Sequence, residues 1–283
     1  MSRPRQSHVR AGIFWGLCGI ALFLIVAPAI DIIVSILAHA LPVLKPSLLT
    51  QTTAGNQLGL QNAILGTLLL SLGVLVVAGT TGVLAGLYLA EFAPPRFASI
   101  ARFFSEVLAG VPSIVVGYVG YVALVNALGW HYSYIAGVLA LSTLILPYIV
   151  KTTELAFSSV PRTLREGAIA LGMSRGKTIR KVLLPPALPG IVSGLVLALA
   201  ISTGETAPLI FTANFSDANP TGLFKPVGYL TGVTYQDIQL PGTATQALAY
   251  AAAGVTVVLV LLLIFAGRRI TLRSRRMVAR MDV

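Results

Sequence analysis

The chain has 283 residues, of which 56% are hydrophobic and 10% charged, with a net charge of +11. A soluble domain carries about 25% charged residues, so this chain cannot cover a water-facing surface and is expected to lie in a membrane. A single cysteine, Cys18, excludes an internal disulfide framework, and the scattered histidines His8, His39 and His131 offer no metal-ligand spacing.

A transmembrane helix needs about 20 mostly apolar residues. Six stretches qualify: Gly12 to Ala38, Ala63 to Ala90, Phe103 to Leu128, Ile135 to Leu155, Leu188 to Ala213 and Ala247 to Gly267. The opening "MSRPRQSHVR" resembles the start of a signal peptide. The apolar run behind it exceeds the usual ~7–15 residues and no small-residue cleavage site closes it, so it reads as a retained helix. Cations alternate along the chain. Arg3, Arg5 and Arg10 precede span one, Arg96 and Arg102 follow span two, and Arg162 to Lys181 hold six between spans four and five. Arg268 to Arg280 hold six more after span six, whereas the alternate loops hold only Lys45 and Lys225. The positive-inside rule then places both termini in the cytoplasm. The basic charge is a topology signal and requires no nucleic acid.

Of the loops on the opposite side, Leu41 to Asn62 and Asn214 to Thr245 are long. The second contains "LFKPVGYLTGVTYQDI", where a short interfacial helix is expected. Each loop reads equally as a connector or a docking surface. The patterns Gly12/Gly16, Gly82/Gly86 and Gly190/Gly194 are no commoner than chance at this glycine content and locate no helix interface.

Span three contains "EVLAGVPSIVVGYVGY". Here Pro112 predicts a kink, Ser113 supplies a hydroxyl, and Glu106 is an ionisable group at depth, which points to function. Next comes "EGAIALGMSRGKTIRKVLLP", Glu166 to Pro185, the one long basic amphipathic stretch. A helix is predicted over Thr163 to Leu171, stopped by Gly172 in a left-handed cap. A second is predicted from Ser174 to Leu184, closed by Pro185-Pro186. Leu164, Ala168 and Leu171 share one helix face, with Arg165 and Glu166 at its rim. Such a knob suits a groove in a soluble partner. Inside span five, Gly204-Glu205-Thr206-Ala207-Pro208 predicts an opened backbone, tolerated in a membrane only where protein or a water-filled cavity covers it.

Glu166-Gly167-Ala168, Gly172, Val182, Leu184 and Pro185 resemble, at matching spacing, the cytoplasmic consensus of ABC importer permeases: Glu-Ala-Ala, three residues, Gly, nine residues, Ile, any residue, Leu-Pro. Gly167 and Val182 depart from it. The elements "GVPSIVVG", "STGETAPLIFTA" and "LPYIVKTTELAFSSVPRTLREGAIALG" narrow the resemblance to phosphate importer permeases of the PstA type, from about Asn62 to Arg268. The resemblance implies an all-α, six-helix type I importer fold. It implies an N-terminal part (1–61), a permease domain (62–267) with a coupling loop (156–187), and a basic tail (268–283). Leu164, Glu166, Gly167, Ala168, Leu171, Gly172 and Pro185 are then ATPase-coupling residues. Glu106, Pro112, Ser113, Glu205, Thr206 and Pro208 are candidates for the translocation path. Many relatives place an arginine at the position of Ile201, so an in-chain partner for Glu205 is missing.

The chain has no G-x-x-x-x-G-K-[ST] phosphate loop. It is expected to be no enzyme and to bind no cofactor, with ATP used by a PstB-like ATPase dimer. A PstC-like second permease and a PstS-like phosphate-binding protein complete the implied assembly in the bacterial inner membrane. A permease for molybdate or sulfate is the alternative. A membrane enzyme or stand-alone channel fits less well, since no catalytic constellation is visible and a channel needs no coupling motif.

Overall fold

The computed structural model describes residues 4–53 and 59–279, with side chains described for 11–53 and 59–272. Arg3 and Arg280 lie outside the described residues. All regular structure among the described residues is helical. The long elements are α1 (Pro4–Ala40), α2 (Gln61–Glu91), α3 (Pro95–Ala109), α4 (Ser113–Ala127) and α5 (Tyr134–Ser158). They continue with α6 (Arg162–Ala170), α7 (Arg175–Gly204), α8 (Ala207–Thr212), α9 (Leu230–Asp237) and α10 (Thr243–Ala279).

The centre of the bundle is α5. The Ser133 hydroxyl accepts from Ala136 N–H and caps its start, and 61% of its most apolar window is buried. Neighbours approach it through small residues. A Cβ on Gly82 or Gly86 of α2 would strike Ile149 or Thr153, and one on Gly190 or Gly194 of α7 would strike Ala156 or Thr152. Both glycine pairs are therefore close-packing sites on α5, while nothing lies near Gly12 and Gly16. The repeat itself carries no mark that separates these cases. The main core joins Leu70, Val74, Leu141, Ile145, Ile149, Ala198 and Leu209. By contrast, α1 contacts α10 near its end, where His39 stacks on Tyr250 at 4.6 Å, and no residue of its most apolar window is buried.

Two predicted spans are not single helices. The stretch Phe103 to Leu128 belongs to two elements, α3 and α4, bent by 97°. The cause is local. Val111 precedes a proline and is pushed out of the helical region, and Pro112 is extended (φ −56°, ψ 134°). A full break replaces the expected kink. Similarly, α7 stops at Gly204, Glu205 is extended (ψ 137°), and α8 restarts at Ala207. This is the opened backbone that the sequence predicts.

The base of α7 also differs from expectation. Pro185 and Pro186 do not close a short helix. A wide π turn over Ile179–Leu183 precedes them, and they occupy the first positions of the following α segment, where a missing N–H costs least. The helix thus runs unbroken from Arg175 to Gly204, 30 residues.

The loop after α8 is more than a connector. It contains the expected short helix, α9, and buries Val227, Tyr229 and Leu230. Asn62, also buried, donates to Ser216 O (2.8 Å) and accepts from Thr53 N–H (3.1 Å), tying both long loops to the start of α2.

Candidate functional site

The first site is the knob. Helix α6 covers Arg162–Ala170, and Gly172 adopts φ +67°, the left-handed cap the sequence predicts. The predicted common face does not form. Ala168 is buried against the body, whereas Leu164, Ile169 and Leu171 are exposed, Leu171 by 81%. Glu166 and Gly167 are exposed as well, and Pro185 is half-buried at the base of α7. The outward apolar surface therefore comprises Leu164, Ile169 and Leu171. Ala168 is the foot on which the knob stands.

By sequence pattern Arg165 belongs to the charged rim. In the structure it is an anchor. Its guanidinium donates to Glu91 Oε1 (2.7 Å), Phe157 O (2.7 Å) and Val160 O (2.6 Å). Both charged side chains are largely buried, 23% and 13% exposed. Glu91 is the last residue of α2, and Phe157 lies in the last turn of α5. A planar fork serves three acceptors in a way an ammonium cannot. Glu91 carried no sequence signal, because its partner is 74 residues away.

The second site joins the two helix breaks. Gly117 of α4 packs on the restart of α8, where a Cβ would lie 2.7 Å from Pro208 Cα and 3.1 Å from Ala207 O. Gly120, one turn on, faces Thr212. This docking places Ser113 beside the Glu205 side chain. The Glu205 carbonyl accepts from Thr231 Oγ1 (2.9 Å), and Thr206 starts α8 without a side-chain cap. Pro112, Ser113, Glu205, Thr206 and Pro208 are therefore neighbours, although about 90 residues separate the two motifs. Ile201 packs against the apolar core.

Glu106 is not part of this cluster. It lies on α3, ahead of the break, with its side chain 68% exposed and 3.4 Å from Lys151 Nζ. One turn earlier Arg102 Nε donates to Glu154 Oε1 at 2.6 Å, and Glu154 is buried. These four charged groups line a cavity of about 200 Å³ between α3 and α5. No group of three or more His, Cys, Asp or Glu side chains suited to a metal occurs among the described residues.

A bundle of apolar helices with an exposed knob at one end and paired helix breaks within it is an arrangement that suits a transport permease. Residues 82–276 match the family described as binding-protein-dependent transport system inner membrane component, and the chain belongs to that family. It is 46% identical to the phosphate transport system permease protein PstA 2 of Mycobacterium bovis, over 98% of this chain and 94% of that one. It is 36% identical to PstA of Xylella fastidiosa over 85% of each. The fold is shared with solved importer structures. It matches the MetNI methionine ABC transporter in an inward-facing form with a TM-score of 0.60 at 22% identity, covering 76% of this chain and 97% of that one. A bacterial ABC transporter for alginate matches with a TM-score of 0.62 at 18% identity, covering 96% and 99%.

Proposed function

We propose that this chain is the membrane-spanning permease subunit of an ATP-driven importer of inorganic phosphate. The substrate follows from the PstA relatives, 46% identical over nearly the whole chain. The observation that carries the transport reading is the docking of the two broken helices at Gly117 and Pro208, since irregular backbone at membrane depth is tolerated only where protein covers it or it lines a water-filled cavity.

In this reading both termini and α6 face the cytoplasm of a bacterial inner membrane, as the cation distribution favours. A PstB-like ATPase dimer receives Leu164, Ile169 and Leu171, with Glu166 at the rim. ATP hydrolysis belongs to that partner and its nucleotide-driven closure displaces α6. A PstC-like chain completes the path, and a PstS-like protein delivers phosphate from outside. Glu205 repels an anion unless it is protonated or paired, and an arginine from the second permease is its proposed partner.

Phosphate uptake in cells lacking the chain tests the reading. Wild type should restore uptake, and failure to do so removes phosphate as the substrate, with molybdate and sulfate the next anions to try. Glu205→Gln should lower uptake; an unchanged rate takes Glu205 off the path.

A further inference from the structure

We propose that Arg165 is the positioning residue that makes the knob helix α6 and the central helix α5 move as one body, and that without it ATP hydrolysis continues but no longer drives import. The inference rests on the permease reading above.

The argument starts from how little else holds α6. It has nine residues, too few to be stable alone in water. One of its residues, Ala168, is buried, and its nearest helical neighbour is the π turn at the base of α7. Its covalent link to α5 is the short segment Ser159-Val160-Pro161, where Val160 is buried in a cluster with Phe157 and Leu183. Arg165 fastens the two helices across that link. It reaches back to Phe157 O in the last turn of α5 at 2.7 Å and to Val160 O in the link itself at 2.6 Å. A helix leaves its last carbonyls without partners and carries negative potential there, so a cation suits this place. The same guanidinium takes Glu91 at 2.7 Å, which adds the end of α2. Three helix ends thus meet at one side chain.

What moves with α5 is also visible. At its far end Ser133 N–H donates to Thr212 O at 2.9 Å, and Gly137 packs against Leu209 and Ala213. Those acceptors and contacts belong to α8, the helix restarted by Pro208. A push on α6 is delivered along α5 to the re-started helix beside Glu205, provided the link at Val160-Pro161 keeps its angle. The warrant is physical contact at each step, and coupling itself must be measured.

The test uses the assembled complex, this chain with its ATPase and second permease, in vesicles supplied with the binding protein. ATP hydrolysis and phosphate import are read from the same preparation. Arg165→Ala should still retain the ATPase in a pull-down and hydrolyse ATP, while ATP consumed per phosphate imported rises about five-fold or more. Arg165→Lys, which keeps the charge but loses the fork, should fall between. A merely structural role lowers both activities together and leaves the ratio alone, so a wild-type ratio in Arg165→Ala overturns the proposal.

If Arg165→Ala fails to assemble, Glu91→Cys/Arg165→Cys in a Cys18→Ser background decides the matter. A short bifunctional thiosulfonate bridge should restore the ratio, and reductant should abolish it again. A ratio indifferent to bridging overturns the proposal. A wild type that imports no phosphate overturns the functional reading and this inference with it, a result distinct from either failure above.

Discussion

Two ion pairs near the basic loop invite comparison. Arg165–Glu91 is 2.7 Å long, largely buried and shares its guanidinium with two carbonyls. Lys151–Glu106 is 3.4 Å long, with side chains 49% and 68% exposed. The first pair has desolvated groups that would be stranded if it broke. The second leaves no group buried within the chain when it opens, since both its side chains are about half-exposed or more. One is a fastening and the other an exchangeable contact, though both join neighbouring helices of the same bundle.

Variants can break that contrast. The largest effect is expected from Glu91→Ala, which strands a buried guanidinium and should cost about 3 kcal/mol, read as faster amide hydrogen exchange across residues 162–170. A loss below about 1 kcal/mol would make the buried pair no stronger than the exposed one. Next comes Gly117→Leu, which forces side-chain atoms into Pro208 and should cost about 1–3 kcal/mol, seen as a lower Tm in detergent. Gly172→Val places a β-branched residue at φ +67° and should cost about 1–2 kcal/mol, with weaker retention of the ATPase as its readout. Glu106→Gln should change stability by no more than about 0.5 kcal/mol; a larger fall in Tm would show that the exposed pair bears structure after all.

The smallest effect concerns Asp237 at the end of α9. Burial, and then the neighbouring Asp217, push its carboxyl above the ordinary carboxylate range. A folded-state value above the unfolded one means the charge opposes folding. Stability from this group is therefore full at low pH and lost as pH rises through the carboxylate range. Asp237→Asn should raise Tm slightly at pH 7, and the gain should vanish near pH 4. A gain that is constant with pH would assign the effect to packing instead.

Local chemistry explains what the sequence made legible. Gly172 needs a left-handed conformation, Gly204 to Pro208 cannot continue a helix, and the apolar runs exceed a bilayer's thickness. Each follows from residues within a few positions of one another. The errors arise where hydrophobicity conceals geometry. Helices α3 and α4 are both apolar enough to read as one span, so only the extended backbone at Pro112 reveals the break. Pro185 and Pro186 look like a terminator until a π turn ahead of them accommodates their missing donors. Arg165 was legible as a charge and illegible as an anchor, since Glu91 lies far away in sequence. The meeting of "GVPSIVVG" with "GETAP" likewise depends on tertiary packing at Gly117, which no local signal announces.

The unbroken course of α7 has a mechanical consequence. Its 30 residues span roughly 45 Å, and its glycine contacts with α5 at Gly190 and Gly194 leave roughly 22 Å on the Arg175 side and roughly 15 Å on the Gly204 side. A rod pivoted at those glycines has unequal arms: a displacement at its Arg175 end would be reversed at its Gly204 end and reduced to roughly two-thirds by geometry alone.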